Sequence, residues 1–483
     1  MYSDDQLRAV GESAARPIAE RSRWIHRRVE QITFPLPSDR VYRRDISIDF
    51  TIPDLASVNA DHDDGTPRYY VPLSLLERWP PMLRLDLRNA EGGPIPLLTS
   101  DQNAIIDAAL LRAIARDVLE RAGLSLGNEL EEQINRLAGL REFDRQPPPR
   151  ERVLTGTLLS LIPPLTLGKR SPESEALAND DLFVELAGAM PRTTVLWLRV
   201  EGSIGDREVV KLSYDAPFRT QIKPRSRKAF GFEPLVVDFQ APHLGGSGSY
   251  HLAVSVPPLL TISDSALLLM QPQTAQGTPH VQQPVTGCTS NQRTEDFASS
   301  EGVLTLYTHN EARDARFYVS GPRTGSQGKV RIATVVARSG LIRPGAMAAL
   351  AITALLAAIT LRLGNSLENR EAVVTTLLVA PALLAYLVVR PADHVVVGQY
   401  VGGLRRVLIL LGVLPLVAAA ALAVADGWTC GLKLLLVAAT ILAAGLTLVL
   451  FAAWRKGGSA VMKPFSAPPT KSSGSARSRT SES

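Results

Sequence analysis

Four uncharged apolar segments fill the last third of the chain and constrain it more than any other feature. Pro344–Leu361, Ala372–Val389, Val407–Val424 and Leu434–Trp454 contain no Asp, Glu, Lys or Arg. Each approaches the roughly 20 apolar residues that a helix needs to cross a ~30 Å hydrocarbon core. A helix satisfies its own backbone groups in lipid, which an open strand or loop cannot do. Four transmembrane helices are therefore expected over residues 343–456. The fold class that follows is a multi-pass α-helical membrane protein. Its N-terminal soluble α/β region leads into an antiparallel β-sandwich-like region, and the helices come last.

The flanking cations predict an orientation. Lys329, Arg331, Arg338 and Arg343 precede the first segment, Arg390, Arg405 and Arg406 separate the second from the third, and Arg455, Lys456 and Lys463 follow the fourth. The opposite side has Arg362, Arg370 and Lys433. Cytoplasmic loops carry the excess of Lys and Arg. Both termini are thus expected in the cytoplasm, and the protein in the plasma (inner) membrane. Met1–Glu20 has no apolar stretch of the secretory-signal kind, so Pro344–Leu361 is expected to insert first. Trp428 and Trp454 suit opposite membrane interfaces.

The net charge of +5 is local. Arg455–Ser483 holds six cations against the single acid Glu482, which leaves 46 cations and 46 acids in the rest of the chain. A basic tail is not the footprint of a nucleic-acid-binding domain, and no nucleic-acid partner is expected. Residues 457–483, rich in Ser, read as a disordered tail that either enforces topology or meets anionic lipid. Cys288 and Cys430 fall on opposite sides of the bilayer in this topology, so no disulfide joins them. Two lone thiols also exclude cysteine-rich zinc modules.

Two stretches are distinguished ahead of the helices, 1–145 and 150–340, with a break at Gln146–Pro149. In the first, Arg21–Arg28 reads as a short charged helix or arm. Ile46, Ile48, Phe50 and Ile52 alternate with polar residues, as do Leu83, Leu85 and Leu87, which predicts two half-buried strands. Asn89–Gly93 is the expected turn and Pro94–Leu98 the return strand, while Asn59–Thr66 is a polar loop. A helix is predicted from Ser100 or Asp101 to about Arg121, with Ile106, Leu110, Ile114 and Val118 on one face. A second carries Leu130, Ile134, Leu137 and Leu140. These stripes are expected to cover the sheet, with dimerisation the alternative.

In the second stretch the expected strands are Thr194–Val200, Val209–Tyr214, Pro234–Phe239, Tyr250–Val256, Val303–Tyr307, Arg316–Ser320 and Val330–Val336. Gly202–Arg207 would join the first two as a hairpin, and Gln271–Ser300 reads as a long loop. Many short strands at this spacing suggest an antiparallel sandwich.

Recognisable chemistry is sparse. Ser320–Lys329 reads SGPRTGSQGK but lacks phosphate-loop spacing, and a strand rather than a helix follows. Asp61–Gly65 offers carboxylates without the twelve-residue distribution of a calcium loop. Gly245–Ser249 lacks dinucleotide-binding spacing, and His243, His251, His280 and His309 are scattered. No cofactor, metal site or catalytic residue is assigned. The patch that stands out is Arg219, Lys223, Arg225, Arg227 and Lys228, flanked by Phe218, Phe230 and Phe232 and free of acids. Arg forks there suit lipid headgroups or an acidic or phosphorylated protein.

These features predict a membrane-anchored cytoplasmic interaction module that binds membrane lipids or a protein partner. Ala- and Gly-rich helices are compatible with a homo-oligomer. The alternatives are a transporter or channel component with a cytosolic regulatory domain, and a membrane-bound enzyme with its site among the β-region loops.

Overall fold

The computed structural model describes residues 2–34, 41–57, 67–77, 82–138, 171–190, 193–217, 234–241, 246–270, 292–299, 302–310, 313–320, 327–337, 342–362, 370–388, 397–398, 401–424 and 430–456. Helices α1 (Asp4–Ser13), α2 (Ala15–Ala19) and α3 (Arg21–Trp24) open the chain. Strands β1 (Ile25–Thr33), β2 (Val41–Thr51), β3 (Arg68–Glu77) and β4 (Leu83–Arg88) follow, then helices α4 (Ser100–Arg121), α5 (Asn128–Ala138), α6 (Pro172–Ala178) and α7 (Asp181–Ala189). Next come β5 (Thr193–Glu201), β6 (Arg207–Pro217), β7 (Leu235–Ala241), β8 (Ser249–Ser255) and β9 (Leu260–Met270). Strands β10 (Gln292–Ser299), β11 (Gly302–Asn310), β12 (Asp314–Ser320) and β13 (Gln327–Val336) complete the β region.

An eight-stranded sheet, ordered β10-β11-β12-β8-β1-β2-β6-β4, backs the front end. It takes β1, β2 and β4 from the first sequence stretch and the remainder from the second, so residues 146–149 do not separate two self-contained sheets. Neighbours are antiparallel except β1 and β8, which run parallel, Arg28 beside Tyr250. The sheet is therefore mixed rather than antiparallel throughout. Strand alternation sorts its faces. Ile46, Ile48 and Phe50 on β2, Leu252 and Val254 on β8, and Phe317 and Val319 on β12 are buried on one face. Arg27, Gln31, Lys211 and Arg316 are exposed on the other.

Two smaller sheets cover the apolar face. The β3-β5 pair, with α1, α4, α5, α6 and α7, shares a core with β2 and β6. The β7-β13-β9 sheet shares another with β8 and β12. Helix α4 keeps the predicted stripe, with Ile106, Leu110, Ile114 and Val118 all buried. Its capping box uses Thr99 and Gln102 rather than Ser100 or Asp101. Asp107, fully buried on that helix, accepts a 2.8 Å bond from the Trp197 indole of β5. A Cβ on Gly11 would meet the Ile106 carbonyl and the Ala109 Cβ, so a glycine lets α1 lie directly on α4.

Several expected connections do not form. No hairpin joins β5 to β6, because β5 pairs with β3 while β6 pairs with β2 and β4. Pro94–Leu98 makes only single bridges, Pro94 to Arg88 and Leu97 to Leu198. The Asn89–Gly93 turn does form, closed by a 2.9 Å bond from the Asn89 N–H to the Gly93 carbonyl. Within Gln271–Ser300, the segment Gln292–Ser299 is a strand. Residues 59–66 lie outside the described residues.

The chain leaves β13 into α8 (Arg343–Arg362), then α9 (Arg370–Val388), α10 (Gly402–Val424) and α11 (Cys430–Lys456). Three C-terminal helices are long and apolar enough to cross a membrane: Arg343–Leu361, Gly402–Val424 and Cys430–Arg455. Helix α9 packs along α10. Large apolar side chains exposed among the described residues are concentrated on these helices, Leu83, Leu97 and Ile204 being the exceptions. Such a surface is suited to lipid.

Threonines register α8 against α11. Thr353 meets Thr447 at 2.9 Å and Thr360 meets Thr440 at 3.1 Å. Thr353, Thr360 and Thr440 also bond the carbonyl four residues back. The two contacts are seven residues apart on each helix, the spacing of one coiled-coil heptad; small Ala443 is buried between them on α11, and Ala349 is buried one turn before Thr353 on α8.

Candidate functional site

The largest polar construction in the described core rises from β1 and β2. Inward positions of these strands belong to Ile32, Ile46 and Ile48, yet Arg28, Glu30 and Arg44 share that parity. Their exposures are 4%, 0% and 6%. Arg28 Nε donates to Glu30 Oε1 at 2.7 Å, and Arg44 Nε lies 3.3 Å from Glu30 Oε2. Arg28 reaches on to Ser74 of β3 at 3.3 Å. Arg44 reaches Tyr214 of β6 at 3.3 Å and donates to the Gln240 carbonyl of β7. Ser74 belongs to one covering sheet and Gln240 to the other. The Arg–Glu–Arg set thus fills the seam between the two covers and ties each to the backing sheet.

Burial alone would raise the Glu30 carboxyl, but the guanidiniums of Arg44 and Arg28 outweigh it and hold the group below the ordinary carboxylate range. Arg44 is raised in turn, Glu30 overcoming the burial that would lower it. The Tyr250 phenol is pushed up, first by burial and then by Glu30. A carboxylate held ionised between two fixed cations is an electrostatic clamp rather than a proton-transfer group.

A second buried acid behaves oppositely. Asp264 of β9 sits beside a bulge, where the pairing of β13 shifts between Ala333 and Thr334. It is 3% exposed, accepts from the Ser265 N–H at 2.8 Å through Oδ1, and leaves Oδ2 without a hydrogen-bond partner among the described residues. Burial raises its pKa to about 6 against the smaller opposing pull of that N–H.

Two cavities among the described residues bear on ligand binding. An apolar void of about 10 Å³ lies among Phe34, Leu235, Phe239, Val256 and Ile332, no more than the room for one water. An open groove of about 300 Å³ between α1, α4 and α5 is bordered by Arg8, Asp101, Ile105, Arg112 and Asn135. Arg112 there already pairs with Glu131 and Asn135. Among the described residues no three His, Cys, Asp or Glu side chains gather as a metal site.

Arg219, Lys223, Arg225, Arg227 and Lys228 lie outside the described residues. Their described flanks are Pro217, opposite Val41, and Leu235, opposite Thr334. Thr334 is near the end of β13 that leads into α8, so β7 begins at that end of its sheet. Lys329 is a strand residue opposite Gln240 and Leu268, not part of a phosphate loop. The His251 ring lies tilted against Tyr318, centroids 4.6 Å apart, and His309 is on β11. Asp61–Gly65, His243 and His280 lie outside the described residues. Sequence reasoning missed the clamp. Its available signal was parity, since Arg44 continues the Ile46–Ile48–Phe50 alternation backward. No family model, curated protein or solved structure matches this chain.

Proposed function

We propose that this chain is a membrane-anchored interaction module that holds its β layers at the cytoplasmic face of the plasma (inner) membrane and binds a protein or lipid partner there. The observation that carries the reading is a single apolar core running out of the β layers into the helices. It includes Val330, Ile332 and Val336 of β13, Ile342 at the entry to α8, and Ala346, Val397, Val401 and Leu404. A tethered domain would diffuse over the bilayer. A domain sharing its core with the anchor presents one fixed set of surfaces at a fixed height.

In the finer reading α9 is the fourth span, the covered sheet is sandwich-like, and both termini are cytoplasmic. Charge supports the orientation. Among the described residues, the bundle end next to the β layers has Arg343, Arg405, Arg406, Arg455 and Lys456 with no acid, a net +5. The far end has, among the described residues, Arg362, Arg370 and Lys433 against Glu371, a net +2.

Cys430 provides the test. It is exposed at the start of α11, and the threonine register puts that end of the helix away from the β layers. In intact cells a membrane-impermeant thiol reagent is expected to label Cys430, with Cys430→Ser as the assignment control, and to spare Cys288 until permeabilisation. Labelling of Cys288 in intact cells would place the β layers outside and remove the proposed function.

A further inference from the structure

The helix register brings four arginines to one level of the bundle. Thr353 faces Thr447, so Arg343, ten residues before the first, is level with the end of α11 that carries Arg455. Helix α10 starts at the same height, because a Cβ on Gly345 would meet the Leu408 side chain at 3.2 Å. Arg405 and Arg406 are therefore within about one turn of Arg343 along the bundle axis. Arg343, Arg406 and Arg455 are exposed and Arg405 is half-buried.

Exposed apolar side chains begin about one turn beyond these arginines on α8 and α10 and two turns beyond on α11. They run from Met347 to Leu361 on α8, Ile409 to Val424 on α10 and Leu434 to Leu448 on α11. At 1.5 Å per residue these belts are each about 21–23 Å tall. Trp454, edge-to-face with Phe451 at 5.5 Å, lies at the arginines' level, where an interfacial aromatic belongs. The four arginines thus sit at the headgroup layer of one leaflet. All are Arg, whose planar fork binds phosphate oxygens in pairs.

We propose that Arg343, Arg405, Arg406 and Arg455 form a collar that binds the phosphodiester headgroups of anionic phospholipids in the leaflet facing the β layers. The proposal rests on the membrane reading but not on any partner of the β layers. Among the described residues the near end carries a net +5 with no acid, against +2 at the far end, where Glu371 offsets one of three cations. Bound lipid would fix the height of the bundle and so the distance of the β layers from the bilayer.

The test uses the full chain, purified in mild detergent with equal phosphatidylcholine and phosphatidylglycerol and examined by native mass spectrometry. The wild type should retain phosphatidylglycerol at least about fivefold over phosphatidylcholine, roughly the effect of one surface cation, with the preference weakening as salt rises. Arg343→Gln/Arg406→Gln should fall to near parity while its thermal melt stays unchanged. Equal retention of the two lipids by the wild type, or undiminished preference in a folded variant, would overturn the collar. If the variant does not fold, competition decides on the wild type: soluble glycerophosphoglycerol should displace the retained lipid and glycerophosphocholine should not, and the reverse sinks the proposal. Failure here with Cys430 still labelled in intact cells leaves the membrane orientation standing.

Discussion

Replacing Glu30 by Gln should destabilise the front end severely. Glu30 has no exposed surface and stands between two guanidiniums that are themselves under a tenth exposed. The substitution preserves shape but leaves Arg28 and Arg44 buried without a counter-charge. Removing one member of a buried ion set costs about 3–5 kcal/mol, because the abandoned charge keeps its desolvation penalty. At roughly 2 °C per kcal/mol for a unit of this size, the melt should drop by about 6–10 °C. Intrinsic fluorescence in nanodiscs can follow it, since Trp24 and Trp197 are buried in the core shared by β2 and β3. Scan rate must be fixed, as melts of large proteins are often irreversible.

The pH dependence provides the sharper check. The Glu30 pKa is depressed in the folded state. Its contribution is therefore fully present above the unfolded value near 4.5 and disappears as pH falls through the lower folded value. Wild type and E30Q should differ most at neutral pH and converge only in acid. The triple variant Arg28→Met/Glu30→Leu/Arg44→Met, which removes every charge, should recover most of the loss. An E30Q melt within about 1 °C of wild type at pH 7, or a triple variant less stable than E30Q, would refute the clamp.

Asp264 should respond in the other direction. Its folded pKa is raised from 3.8 to about 6, so the ionised form weakens the fold at neutral pH by up to about 3 kcal/mol. Asp264→Asn is expected to raise the melt at pH 7.5, the gain shrinking as pH falls through 6 toward 4; a gain independent of pH would assign the effect to packing instead. In the bundle, Thr353→Val and Thr447→Val should show a coupling of about 0.5–1 kcal/mol in a double-mutant cycle. Strict additivity would mean that each hydroxyl is satisfied by its own helix and the pair contributes nothing.

What the sequence made legible was whatever repeats within a few residues. Leu83–Arg88 is a strand with the expected ends, and the α4 stripe from Ile106 to Val118 points where its period says. The apolar helices announced themselves by length alone. Strand β1 was hidden because His26, Arg27, Arg28, Glu30 and Gln31 break the apolar alternation, so that a half-charged strand reads as an arm. Strand β3 was hidden because it is buried on both faces and shows no alternation at all. The β5–β6 hairpin failed for a different reason. A turn between two strands fixes their proximity but not their pairing, and here the chain crosses from one sheet to another between Glu201 and Arg207.

The clamp shows why a site of this kind escapes local reading. Arg28 and Glu30 are two residues apart, but Arg44, Ser74, Tyr214, Gln240 and Tyr250 come from five further segments. A buried charge is tolerable only when its full set of partners is present, so none of these residues carries a signal in its own window. Taken singly, each would be assigned to the surface. Strand parity is the exception, because it asks where a side chain points before asking what it is. By that criterion Arg44, two residues before Ile46 on the same face, already required a buried counter-charge, and Glu30 on the neighbouring strand is the acid placed to supply it.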